Sequence, residues 1–392
     1  MRGHDTTKGG RRVLMVTANY PPQCGGVQVH AFELARRLAA RCERFAVIAP
    51  SHRDSREVDQ KLPFRVHRVP DLGENLALSA IPPVARLVAR YDAIYATHGS
   101  AAFAALVAGR GQRVVVAAHG KEILSEPFPE LEPLNRIALR VQRHVYERAH
   151  AFVAVSRFTA DLLRRRSIRE TRIHTIPNGV DPRRFSPGDT EAAKVRLGLA
   201  GRLVLLSVCR LVGRKGVDRV LDVLPSLVRR WPDIAYVVVG DGPERRRLER
   251  HAARLGVARN VVWRGEVDYV HGPIVDFYDA CDVFVLPASS ELPDVEGFGI
   301  VYLEANACGK PTVALDDGGV TDAVVDGLTG LLVAPDDRGA LEQALAGLIA
   351  NPMRARELGA AGRARVEQQL DWEIIARRIL VEALFPGGPA LG

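Results

Sequence analysis

Two glutamates, Glu296 and Glu304, stand eight residues apart in the stretch EGFGIVYLEANACGKP. Paired carboxylates can do acid/base work, hold a metal, or coat a solvated helix face. The preceding segment, FVLPASSELPDV, leaves a strand and wanders through proline, so Glu296 belongs to a loop. A helix is predicted from near Gly299, with Gly309 and Pro311 as its stop signals. Glu304 then lies more than one turn inside that helix, and Gly297 and Gly299 mark its open N-terminus. Such a terminus presents unsatisfied N–H groups and a partial positive charge, and glycine lets an anion approach the backbone. The two glutamates would flank an anion site from different elements. A ligand with a diphosphate between two hydroxylated rings would use both. The competing reading is one helix-cap glutamate and one surface glutamate.

A second constellation favours the ligand. SVCRLVGRKGVDRVL puts Arg210 and Lys215 just past a strand, at the mouth of a sheet. Arginine offers a planar fork and lysine a compact charge, a pair suited to a diphosphate and to charge growing on a leaving phosphate. The chain contains no D-x-D, the usual acidic grip on a metal–nucleotide complex, and no His/Cys cluster suited to a transition metal. The expectation is therefore no metal and no cofactor, with fixed cations and helix-end amides supplying the charge.

The elements that must position these groups alternate between short β-branched runs and longer helical patterns, as in a parallel sheet covered by helices. RVLMVTANY, RFAVIAP, FRVHRVP, AIYATHG, RVVVAAHG and AFVAVS read as strands of a first α/β domain. IHTIPNGVDPRRFSP is rich in turn formers and reads as a linker, after which the alternation restarts at RLVLLSVCRL. The expected boundaries are a disordered leader at 1–12, a first domain at 13–185, a second at 186–370, and a helix at 371–385 crossing back to the first. Ligands of such doubly wound sheets sit outside the carboxyl ends of the strands, so both domains are expected to aim loops into a cleft.

Composition bounds the rest. At 392 residues, with 47% apolar and 26% charged residues, two globular domains are the natural prior. No apolar run approaches the roughly 18 residues of a membrane span, and MRGHDTTKGGRR lacks a signal peptide's apolar core. Five scattered cysteines without CxxC spacing point to a reducing, cytoplasmic setting. The net charge of +8 is uneven: residues 1–190 hold 30 Lys+Arg against 18 Asp+Glu, and the remainder 24 against 28. A basic first half suggests an anionic partner or a solvated surface in an arginine-rich chain. Nucleic acid ranks lowest, because the basic half has no aromatic-interleaved strand or reading module.

The segments YPPQCGGVQVH, AAHGKE, VAVSRFT, IPNGVD, RLVGRKG, VVGDGP, WRGEV and EGFGIVYLEA together span nearly the whole chain. In them the sequence resembles the retaining glycosyltransferases of family 4, which have the two-Rossmann GT-B fold, α/β with two tandem parallel sheets. It is similar to the phosphatidylinositol mannosyltransferase branch in particular. The last segment matches the family's E-x7-E pattern. The resemblance implies that Arg210 and Lys215 bind the diphosphate of a UDP- or GDP-linked sugar, Glu304 the ribose, and Glu296 the transferred sugar. It implies backbone contacts from Phe298, Gly299 and Ile300, a base pocket at Gly265 to Val267, and a neighbouring turn at Gly240 to Gly242. Gly25 and Gly26 would let the opening loop close on the diphosphate. His119 matches the family's histidine near the reaction centre. Retention would follow from front-face attack, with the leaving phosphate taking the acceptor's proton.

On the acceptor side stand Tyr20, Lys121 and the arginines Arg65 and Arg68, suggesting a phosphorylated or lipid-linked hydroxyl acceptor. Arg136, Arg140, Arg143 and Arg148 share part of one helical face, which would let that helix lie on an anionic membrane as a peripheral contact. Two other readings fit the scaffold: an epimerase-type enzyme altering the nucleotide sugar without an acceptor, and a non-catalytic nucleotide-sugar-binding protein.

Overall fold

Asn178 and Gly179 mark a division in the computed structural model, which describes residues 10–23, 25–72, 76–124, 132–269, 272–290, 294–335 and 337–388. One compact unit comprises residues 1–178 with 372–392, and the other residues 179–371. The leader expected at 1–12 lies mostly outside the described residues, and Arg12 already belongs to a strand.

The first unit holds β1 (Arg12–Val16), β2 (Arg44–Pro50), β3 (Arg65–Val69), β4 (Ala93–Ala96), β5 (Arg113–Ala118), β6 (Ala151–Ala154) and β7 (Ile173–Thr175). They form one sheet in the order β3-β2-β1-β4-β5-β6-β7, each neighbouring pair parallel. Helices cover both faces, which is why the central strands read as unbroken apolar runs rather than alternating ones. β7 corrects the expected linker. Ile173–Thr175 pairs with β6, because a short edge strand needs no apolar run longer than the three residues found there. The helix Leu76–Leu87 was hidden by its internal Pro82 and Pro83. The helix Trp372–Arg378 belongs to this unit, where Arg37 and Arg41 pair with Glu373.

The second unit repeats the plan with β8 (Leu203–Val208), β9 (Ile234–Val239), β10 (Val261–Gly265), β11 (Val283–Leu286), β12 (Thr312–Leu315) and β13 (Gly330–Val333). The order is β10-β9-β8-β11-β12-β13, again all parallel. Its ends are tied together where Val180 N–H donates to the Leu370 carbonyl at 2.9 Å. That bond explains why the division precedes the expected position 185.

In both sheets the strand order reverses beside the first strand, between β1 and β4 and between β8 and β11. Doubly wound sheets bind ligands outside the carboxyl ends of their strands at such a reversal.

Candidate active site

In the second unit the reversal brings the loops after β8 and β11 together. The first ends in a 3₁₀ turn, Gly213–Lys215, and Gly216 at φ 68° then starts the helix Val217–Arg230. A β-carbon on Gly216 would stand 2.1 Å from the Pro287 carbonyl oxygen, so only glycine lets the two loops meet. Ser289 N–H donates to the Arg214 carbonyl at 2.8 Å across the same junction.

This seam carries the charges. Glu296 Oε2 lies 3.0 Å from Arg214 Nη1 and also accepts from Lys215 Nζ. Burial raises the Glu296 carboxyl pKa, but Lys215 and Arg214 outweigh it and the net shift is downward. Glu296 is thus an anion held between two cations, not a proton donor poised near neutrality. Arg210 is exposed just past β8. Gly299, at φ 91° and without a side-chain cap, opens the helix Ile300–Ala307. The preceding loop is held by Gly319 N–H, which donates to the Glu296 carbonyl at 2.8 Å. Phe298 and Ile300 are buried, so only their backbone can serve a ligand. Glu304, 2% exposed, accepts from Tyr278 O–H at 2.5 Å and is oriented by it. Gly240 N–H donates to the Gly265 carbonyl at 2.7 Å, joining the two turns expected to flank a base, with half-buried Val267 following. Gly242 N–H is held by Asp241 Oδ1 at 2.7 Å.

In the first unit Gly25 and Gly26 begin the helix Gly26–Arg41 after β1. His119 directly follows β5, and burial, with a smaller effect of His98, pushes its imidazole pKa down to about 4. It is neutral at pH 7. His98 itself caps the helix Gly99–Ala108, accepting from Ser100 N–H at 3.3 Å.

Two family models match. "Glycosyltransferase Family 4" covers residues 24–184 and "Glycosyl transferases group 1" covers residues 189–365. The chain is 34% identical to a GDP-mannose-dependent alpha-(1-6)-phosphatidylinositol monomannoside mannosyltransferase of Mycolicibacterium smegmatis, over 94% of this chain and 97% of that one. It is 30% identical, with the same coverage, to the enzyme of Corynebacterium glutamicum named for a monoacylated form of that acceptor. The chain is a family 4 glycosyltransferase. Its reaction is transfer of a hexose-type sugar from a nucleoside diphosphate sugar to a hydroxyl group. Anabaena HepE, solved in complex with UDP, has the same fold at a TM-score of 0.77, with 24% identity over 94% of this chain and 98% of that one. The two Rossmann-like units are those of the GT-B fold.

Within this glycosyltransferase, the expected acceptor residues are not all available. Tyr20 is 2% exposed and its hydroxyl has no hydrogen-bond partner among the described residues. Arg68 lies over its ring at 5.4 Å and is spent internally: it donates to the Pro50 and Pro21 carbonyls and grips Asp59 through Nε and Nη2. Both brace the loop that precedes Gly25, because a partly buried guanidinium satisfies most of its donors within the protein. Arg65 is exposed at the start of β3. Lys121 begins the short helix Lys121–Leu124, and its side chain lies outside the described residues.

Sequence reasoning missed Arg214, although it sits in RLVGRKG beside Lys215. It also missed Tyr278, which carries no local signal because it meets Glu304 from another helix.

Proposed function

We propose that this glycosyltransferase takes mannose from GDP-mannose and places it on a hydroxyl of a phosphatidylinositol mannoside, with retention at the anomeric carbon and without a metal. The observation that carries the reading is Glu296 held between Arg214 and Lys215 at the strand-order reversal of the second unit. A diphosphate entering there would meet Arg210, Arg214, Lys215 and the amides that open the helix Ile300–Ala307, leaving Glu296 to accept hydrogen bonds from the sugar. The relatives named for GDP-mannose and a phosphatidylinositol monomannoside supply the choice of donor and acceptor.

In this reading the three cations take up the negative charge that grows on the leaving diphosphate. Glu304, oriented by Tyr278, binds the ribose, and the turns at Gly240 and Gly265 border the base. Neutral His119 donates a hydrogen bond near the transferred sugar. Front-face attack lets the departing phosphate oxygen accept the acceptor's proton, so neither glutamate acts as nucleophile. Neither needs to leave its partners.

A lipid acceptor requires access to a membrane surface. Among the described residues no helix is long and apolar enough to cross one. The helix Glu132–Arg148 exposes Leu139, Arg140, Arg143 and Arg148, a mixture suited to peripheral contact with an anionic bilayer on the cytoplasmic side. Co-sedimentation with phosphatidylinositol vesicles but not neutral ones tests this. No binding at low salt would sink it.

The test of the reaction is incubation with GDP-mannose or UDP-glucose, with and without phosphatidylinositol monomannoside, followed by product analysis in EDTA. Mannosylated lipid formed in EDTA supports the whole reading. A requirement for magnesium or manganese overturns metal independence, and donor alteration without an acceptor would favour the epimerase alternative.

A further inference from the structure

His30 is 1% exposed on the helix Gly26–Arg41, inside the first unit. Its Nδ1 lies 2.7 Å from Asn178 Oδ1, and its Nε2 lies 3.0 Å from the Tyr95 hydroxyl. A neutral imidazole has one N–H. The amide oxygen can only accept, so Nδ1 carries the proton and Nε2 accepts from Tyr95 O–H. The ring is stacked on Tyr95, edge-on to His119 at 4.8 Å between centroids, and edge-on to Trp372 at 5.6 Å.

The partners of His30 are not scattered at random along the chain. Asn178 is the residue at which the chain leaves this unit, and Trp372 the one at which it returns. Further along the same helix, Arg37 and Arg41 pair with Glu373, the residue after Trp372. One side chain therefore touches the exit, the return and His119 together.

We propose that His30 is a positioning residue for the transfer reaction, setting the His119 ring against the segments by which the chain leaves and re-enters the first unit. The inference rests on the reading of His119 given under the proposed function. His30 touches neither donor nor acceptor in it. With both nitrogens bonded and the rings of Tyr95, His119 and Trp372 packed around it, His30 has one orientation, and His119 inherits a fixed wall. Loss of that wall lets the His119 imidazole drift, and a displacement of about 1 Å can cost roughly 100-fold in rate.

The experiment compares His30→Leu, His30→Asn, Asn178→Ala, the double variant His30→Leu/Asn178→Ala and His119→Ala, in mannosyl transfer from GDP-mannose to phosphatidylinositol monomannoside. His30→Leu is expected to lower kcat by about 10- to 100-fold. KM for GDP-mannose should stay within about twofold, since Arg210, Arg214, Lys215 and Glu304, read as its diphosphate and ribose contacts, belong to the other unit. His30→Asn keeps a donor toward Asn178 and should recover part of kcat. The double variant should be no worse than the poorer single one, because both remove the same link. A folded His30→Leu with wild-type kcat overturns the proposal, as does a loss shared equally by KM and thermal stability. If His30→Leu does not fold, Tyr95→Phe and Asn178→Ala each remove one bond and carry the same test. Full activity in His119→Ala would bring down the reading of His119 itself. Loss in His119→Ala beside full activity in His30→Leu would bring down only the role of His30.

Discussion

Glu296 and Arg214 are joined by a 3.0 Å ion pair, although 82 positions separate them in sequence. The pair bridges the loops after β11 and β8 at the point where the strand order reverses, and Lys215 reinforces it. The two loops are thereby held together by opposite charges.

Arg214→Ala should weaken that junction and, with it, the proposed diphosphate site. A charge-assisted hydrogen bond contributes about 1.5–3 kcal/mol, so kcat/KM should fall by roughly 10- to 100-fold. GDP should also stabilise the variant less in a thermal melt. Unchanged stabilisation by GDP would remove Arg214 from the diphosphate site.

Tyr278→Phe takes away the hydroxyl that orients the buried Glu304 carboxylate. Losing a hydrogen bond to a buried charged group costs about 1.5–3 kcal/mol, which a urea titration would read directly. KM for the donor should rise while kcat changes little, since Glu304 is read as a ribose contact. A fall in kcat alone would contradict that role.

Gly216→Ala and Gly265→Ala form a matched pair. Both glycines have positive φ, 68° and 67°, but a β-carbon at Gly265 meets nothing within 4 Å, whereas at Gly216 it meets the Pro287 carbonyl. Left-handed backbone alone costs about 1–2 kcal/mol, so Gly265→Ala should lose about that much stability. Gly216→Ala should lose more, and donor binding with it, because the seam between the loops must part. Equal losses would mean the close approach is relaxed at little cost.

The buried histidines of the first unit should make stability fall on the acid side. Burial drives His30 down to about 3, helped by His119 and opposed by Asn178, and drives His119 down to about 4. Both rings stay neutral when folded, while the unfolded chain protonates below about 6.5. The stability they hold is therefore complete above that pH and is lost as pH falls toward the folded values. Each ring contributes up to about 1.4 kcal/mol per pH unit in that window, and the partly buried His67, His150 and His174 shift in the same direction. Urea titrations at pH 7, 6 and 5 should show the decline, and His30→Leu should flatten it. An identical slope in that variant would contradict the assignment.

The sequence alone determined the repeated α/β alternation, since strand and helix periodicities are local and the strands buried on both faces announce themselves as apolar runs. It also placed Glu296 on a loop, Glu304 inside a helix and Lys215 past a strand, because proline, glycine and helical spacing act over a few residues. It missed β7 and the helix holding Pro82 and Pro83, whose local signals are too short or contrary. Only the tertiary structure decided which charges meet. Arg214 finds Glu296, Tyr278 finds Glu304, and Arg68 turns inward to Asp59 instead of outward to a ligand. His30 reaches Asn178 across 148 positions. Such pairings depend on how parallel strands are ordered and where their order reverses, and that is set by the packing of the whole sheet rather than by any neighbouring residue.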